Sequence, residues 1–191
     1  MSEKGDKTKQ MILDAAQALF ANKGFKDVSM SDICSETGLS RGGLYRHYSS
    51  TSEIFREIIT DNYSFDEQID KKENAHTILI STLKFVEDEI VHSENSLSLA
   101  IYEYASIGEN KEEFLALEDR AKKRWIKLIE YGMSTGEFRK VDSVAVAEMI
   151  LYYYQGLRMW SRVVNIDERS ALNYRENIIL LLEGEKENYD N

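Results

Sequence analysis

Residues 29–50 read SMSDICSETGLSRGGLYRHYSS, and two short helices with a glycine turn between them account for the whole stretch. Ser29 followed three residues later by Asp32 is a capping pair that opens the first, and Ile33, Cys34 and Thr37 follow before Gly38 supplies the stop. Ser40 caps the second, which carries Leu44, Tyr45 and Tyr48. Two such helices joined through TGLS (37–40), with apolar Ile33, Leu39 and Leu44 around the turn, have the form of a helix-turn-helix. In that motif the second helix enters the major groove of DNA and its N-terminal residues meet base edges. Here those residues are Arg41, Gly42, Gly43, Tyr45, Arg46 and His47. Arginine can hold guanine with two hydrogen bonds, and tyrosine and histidine can reach phosphates. Each of the adjacent glycines costs a helix about 1 kcal/mol relative to alanine. Their missing side chains would let the backbone, Arg41 and Tyr45 approach a duplex closely.

Charge supports the motif. The net charge is −10, which argues against indiscriminate coating of nucleic acid. The first sixty residues balance eight basic against eight acidic side chains, so the remainder carries the whole excess. Residues 37–51 contain Arg41, Arg46 and His47 and no acid.

On either side the periodicity is helical. Met11, Ile12, Ala15, Ala16, Leu19 and Phe20 recur on one face of a helix over residues 7–23, which Gly24 ends. Ser50 with Glu53 reads as a capping box for a fourth helix bearing Ile54, Phe55, Ile58 and Ile59. Beyond a polar stretch, longer helices are expected at 75–92, 95–107, 110–134, 142–164 and 168–184. The fold class is therefore all-α, with about nine helices: a three-helix head and a helical regulatory body. The expected division is 1–50 for the DNA-binding domain and 51–191 for a ligand-binding and dimerisation domain, with helix 4 (about 51–70) as the link. With 191 residues and no proline, long helices can run without interruption.

The segment over residues 7–59 resembles the DNA-binding head of the TetR (tetracycline repressor) family. The matching residues are TKQMILDAAQALFANKGF (8–25), VSMSDICSETGLSRGGLYRHYSS (28–50) and SEIFREII (52–59). The resemblance implies a homodimer that binds a palindromic double-stranded DNA operator and is released by a small-molecule effector. It implies DNA-contacting roles for Lys9 near the start of helix 1, the helix 2 cap Ser29, Arg41, Gly42, Gly43, the phosphate-binding Tyr45, and the exposed Arg46 and His47. Thr51 and Ser52 stand where the family commonly has Lys and Glu. A Thr51 hydroxyl can still meet a phosphate, but with one charge fewer.

By the same analogy the last two helices pair with their twofold copies. The dimer stripe would be Ala145, Met149, Tyr153, Gly156 and Trp160 on the first, with Leu172, Ile178, Ile179 and Leu182 on the second. Phe85, Tyr102, Tyr104, Trp125, Tyr131 and Tyr152 are the candidates to line an effector cavity, which would favour a hydrophobic or aromatic ligand. Glu103 reads as a solvated helix face and Cys34 as packing. His76 and His92 lack metal-ligand spacing, and no nucleophile elbow, P-loop or dinucleotide fingerprint appears, so neither a cofactor, a metal nor catalysis is expected. No apolar run suits a membrane span or a signal peptide, and a cytoplasmic location is expected. The competing class is a helical binding or scaffold protein that keeps the head without sequence-specific DNA binding, a reading that Thr51 and the acidic body favour.

Overall fold

The computed structural model describes residues 3–60, 64–92 and 96–184. Among these are ten α-helices, one short 3-10 turn and no strand. In chain order they are α1 (Glu3–Lys23), α2 (Met30–Thr37), α3 (Arg41–Tyr45), α4 (Thr51–Ile59), α5 (Asp66–Asp70), α6 (Ala75–Val91), α7 (Ser98–Ala105), α8 (Lys111–Thr135), α9 (Ser143–Trp160) and α10 (Glu168–Glu183), with the 3-10 turn at Gly108–Asn110 before α8.

The extra helix comes from the expected link. Helix 4 does not run on toward residue 70: α4 ends at Ile59, where Thr60 turns extended and its hydroxyl donates to the Arg56 carbonyl at 2.7 Å. A separate α5 follows, and residues 61–63, which fall inside the expected link, lie outside the described residues. The helix expected over 142–164 stops at Trp160, because Arg162, Val163 and Val164 bond back into a tight turn on Met159 and Trp160.

The chain divides into two compact units, Met1–Asn62 with Glu94–Leu117, and Tyr63–Ser93 with Glu118–Asn191. In the first, Ile12, Ala16 and Phe20 line one face of α1 at helical spacing. They pack with Ile33 of α2, Leu44 of α3, and Ile54 and Phe55 of α4, all without solvent exposure. This core also contains Ala100 and Tyr104 of α7. Phe20, Phe25, Phe55 and Tyr104 form an aromatic cluster with centroid separations from 4.8 to 5.7 Å, the range of favourable edge and offset contacts.

Polar bonds close the rim of the cluster. The Tyr104 hydroxyl donates to Glu113 at 3.1 Å, and Arg56 Nε donates to the same carboxylate at 2.8 Å. Both ends of the Arg56–Glu113 pair are partly exposed, so the pair contributes about 0 to 1 kcal/mol and the buried rings dominate. Glu103 is not a solvated helix face: it is half-buried, and its carboxylate accepts the Lys26 amide at 3.0 Å across the α1–α2 loop. That approach is eased by Gly24, whose φ is +84° and whose Cβ, were there one, would lie 2.6 Å from a Glu103 carboxylate oxygen and push it aside.

The second unit packs α6, α9 and α10 against the later turns of α8. Leu79, Leu83, Val86 and Ile90 of α6 meet Trp125, Leu128 and Ile129 of α8, Val146, Ala147 and Ile150 of α9, and Ala171 and Tyr174 of α10. Ile178 and Leu182 of α10, expected on a dimer surface, are fully buried in this core. They occupy the α10 face that α6 covers, so they offer no surface outside the unit.

Gly24→Ala should lower the unfolding free energy by roughly 1 to 3 kcal/mol in urea denaturation, since it combines a left-handed backbone with a clash. Gly38→Ala should cost less, because φ there is +70° but nothing lies within 4 Å of an added Cβ. Equal losses at the two sites would show that the Glu103 contact adds nothing.

Candidate nucleic-acid interface

The motif is built by caps. Ser29 and Asp32 form a complete capping box on α2: the Asp32 amide donates to Ser29 Oγ at 3.2 Å and the Ser29 amide donates to Asp32 at 2.9 Å. Bonds from the Ser29 side chain and backbone, with help from Lys23 at 3.3 Å, hold the Asp32 carboxyl down at about 2. Its contribution to the cap is therefore present above the ordinary carboxyl range and lost as pH falls toward 2. The Ser29 hydroxyl also bonds the Asp32 carboxylate, so a phosphate would have to compete for it.

After α2, Gly38 takes the left-handed conformation that ends the helix, and Thr37 Oγ1 bonds the Ile33 carbonyl at 2.7 Å. Ser40 then caps α3 by accepting the Gly43 amide at 3.2 Å. α3 itself is five residues long, and Arg46 and His47 lie in the turn that follows.

The structure separates the two glycines that the sequence presents as a pair. Gly42 is exposed and a Cβ there would meet nothing within 4 Å. Gly43 is buried, and a Cβ there would lie 3.3 Å from Ser40 Oγ and 3.8 Å from Leu39 Cβ. Gly43 thus permits the cap to close, while no described residue accounts for Gly42. Around it, Arg41, Tyr45 and Arg46 are exposed, Tyr45 by 53%, and His47 is half-buried. Leu44 and Tyr48 point into the core, so the helix presents one outward face without an acid among residues 37–51.

The flanking residues are more committed. Lys9 pairs with Glu57 at 2.6 Å and lies 5.9 Å from the Tyr48 ring centre, and Tyr48 donates to the same Glu57 at 3.0 Å. Burial, reinforced by Glu57, pushes the Tyr48 phenol well above its ordinary range. Thr51 is half-buried at the first position of α4. The expected Ser50–Glu53 box is modified: Ser50 Oγ accepts the Glu53 amide at 3.2 Å, but the Glu53 carboxylate reaches back to Ser49, taking its amide at 2.6 Å and its hydroxyl at 2.8 Å.

The aromatic residues proposed for a cavity do not share one environment. Tyr104 belongs to the first unit's core and Trp125 to the second's. Phe85, Tyr102 and Tyr152 are each more than 60% exposed, and Tyr131 is half-buried with its hydroxyl on the Glu73 carbonyl at 2.8 Å. The α9 stripe of Ala145, Met149, Tyr153, Gly156 and Trp160 is exposed throughout, whereas Leu172 and Ile179 on α10 are half-buried. Leu180, 45% exposed, is an outward apolar residue of α10 that periodicity did not single out. Arg56 and Glu113 also escape a sequence reading, because their partnership spans 57 residues and no local pattern marks it. Among the described residues no group of three or more His, Cys, Asp or Glu could hold a metal ion, and no helix is long and apolar enough to cross a membrane.

Known proteins share these features. The profile of the family described as "Bacterial regulatory proteins, tetR family" matches residues 12–58, which span α2, α3 and most of α1 and α4. The HTH-type transcriptional regulator YfiR of Bacillus subtilis (strain 168) is 32% identical over 166 residues, covering 81% of this chain and 80% of that protein. The HTH-type transcriptional repressor KstR2 of Mycobacterium tuberculosis is 24% identical over 144 residues, covering 67% of this chain and 68% of its own. In fold, the chain is similar to NalD, the secondary repressor of the MexAB-OprM multidrug efflux pump in Pseudomonas aeruginosa. The TM-score is 0.68 at 18% identity, covering 97% of this chain and all of that one.

Gly42→Ala separates stability from contact. With open space around the position, the substitution should raise helix stability by roughly 0.5 to 1 kcal/mol in denaturant titration. It should at the same time weaken binding to a duplex in an anisotropy titration; unchanged affinity would show that no DNA group approaches Gly42.

Proposed function

The chain belongs to the TetR family of bacterial transcriptional regulators, and from that membership we propose that it is a homodimeric repressor that binds a palindromic operator and leaves it when a small molecule occupies its helical body. The observation that carries this reading is the outward face of α3, where Arg41, Gly42, Tyr45 and Arg46 stand exposed on a capped helix with no neighbouring acid in sequence. The relatives are regulators, not enzymes, and a role in the cytoplasm follows from the work of contacting DNA.

Each α3 would enter one major groove. Arg41, at the helix start, would read a base edge, while Tyr45 and Arg46 would hold phosphates. Two heads would meet half-sites about one helical turn, ~34 to 36 Å, apart. Lys9 and Ser29 would join only by exchanging Glu57 and Asp32 for phosphate, and the half-buried Thr51 would supply at most a hydroxyl.

Twofold pairing is assigned to the outer stripe of α9. Met149, Tyr153 and Trp160 are large apolar side chains left exposed there, with Ala145 and Gly156 allowing close approach. An isologous contact of this kind matches the symmetry of a palindrome. On α10 the exposed Leu180 would take the place of the buried Ile178 and Leu182. Effector binding in the body would shift a pre-existing equilibrium between head separations that fit the operator and those that do not.

A scaffold role that dispenses with DNA is the second reading, favoured by the internal engagement of Lys9 and Ser29. Titration of duplex DNA from the protein's own upstream region at several salt concentrations separates the two. The repressor reading expects a sequence-preferring complex that weakens steeply with salt. A complex with no preference over random duplex, or no complex, establishes the scaffold reading.

Arg41→Ala should cost about 1 to 3 kcal/mol on the preferred duplex and much less on random DNA. Arg46→Ala should weaken both alike and reduce the logarithmic salt slope by about one. Trp160→Asp should dissociate the dimer in sedimentation velocity, weakening it by roughly 2 kcal/mol or more, as for a central aromatic anchor; an unchanged sedimentation coefficient would remove α9 from the interface.

A further inference from the structure

Arg158 is the one charged side chain among the described residues that is more than nine-tenths buried, at 8% exposure. Among the described residues its Nε has no hydrogen-bond partner and no carboxylate forms an ion pair with it. The guanidinium lies over the Tyr154 ring, 5.0 Å from its centre, one helical turn earlier on α9. The nearby acid is engaged elsewhere: Glu89 of α6 accepts the Tyr154 hydroxyl. Burial raises the Tyr154 phenol above its ordinary range, so the hydroxyl keeps its proton and continues to donate to Glu89.

Arg158 does not face the stripe proposed for the second copy. At about 100° per residue, a helix position lies roughly 200° around from those two residues away. Arg158 is two residues from both Gly156 and Trp160, which belong to the exposed stripe, so it faces the opposite way. Its side of α9 is that of Val146, Ala147, Ile150 and the half-buried Leu157. A guanidinium keeps its charge when buried, and with Nε buried and unpaired among the described residues an anion would complete its bonding. The ring beneath offsets part of the charge and also fixes the planar fork in one orientation.

We propose that Arg158 anchors the acidic group of the effector, and that the effector is an amphipathic carboxylate. Two carboxylate oxygens match the guanidinium fork. A dianion such as a phosphate monoester fits less well, because Arg158 is a single cation and the Glu89 carboxylate already sits on the hydroxyl of the same tyrosine. The rest of the molecule is apolar, in keeping with Leu151 and Leu157, which are only half-buried on this side of α9. The proposal rests on the ligand-responsive reading above and names the chemistry of its ligand.

The test uses the full chain with dodecanoate and 2-naphthoate, each against its neutral methyl ester. At least one acid should raise Tm and bind in calorimetry while its ester does not. Arg158→Met should leave the ligand-free Tm unchanged or higher, since it removes an uncompensated charge, and should weaken the acid about tenfold to a hundredfold. A side chain that serves only as a prop for Tyr154 would instead lower Tm and leave acid and ester indistinguishable. Arg158→Lys, which keeps the charge but loses the fork, should bind with intermediate affinity and guards against misfolding of the methionine variant. Equal binding of acid and ester, no binding of either acid at millimolar concentration, or full affinity in Arg158→Met overturns the proposal. The same acids are then added to the protein bound to its upstream duplex. Acid binding without release keeps the Arg158 site and refutes ligand-responsive repression, whereas release by an ester alone keeps the regulator and refutes the site.

Discussion

The first unit depends on the contact of four rings, Phe20, Phe25, Phe55 and Tyr104. They come from α1, the loop after it, α4 and α7, and they share one core with Ile33 of α2 and Leu44 of α3. Burial of aromatic area is the large favourable contribution, and the ring geometry adds about 0.5 to 1.5 kcal/mol per pair. With that cluster formed, Ile33 and Leu44 have a surface to cover, and the outward face of a five-residue helix is fixed by what its inward face packs against. α3 is far too short to be stable by its own hydrogen bonds, since isolated helices under a dozen residues are marginal in water. Its caps and the core beneath it supply the rigidity that a base-reading surface requires.

Tyr104 ties α7 to the motif. α7 is distant from the motif in sequence, yet it shares the core of the motif and grips its loop through Glu103 and the Lys26 amide. α8 gives Glu113 to Arg56 in this unit, and its later residues belong to the other.

Much of this was legible in residue patterns. The caps at Ser29, Ser40 and Ser50, the turn at Gly38 and the inward positions Ile33 and Leu44 follow from local chemistry, and local chemistry is what a sequence displays. The exact course of α4 was not, because helical periodicity in Ile54, Phe55, Ile58 and Ile59 carries no signal of where Thr60 leaves the helix. Nor was the division of α10: Leu172, Ile178, Ile179 and Leu182 are equally apolar, and only the packing of α6 decides which of them are inside. Tyr104 looked like a cavity residue for the same reason, since an aromatic side chain at helical spacing does not announce which core it joins. Arg158 went unnoticed because its significance lies in a missing partner, which only three dimensions can show.

Hydroxyl-radical footprinting of the protein on its own upstream duplex tests the central claim most directly. The account predicts two protected half-sites related by twofold symmetry and centred about one helical turn, ~34 to 36 Å, apart. Protection of a single site without a symmetric mate, or uniform protection along the duplex, would contradict it.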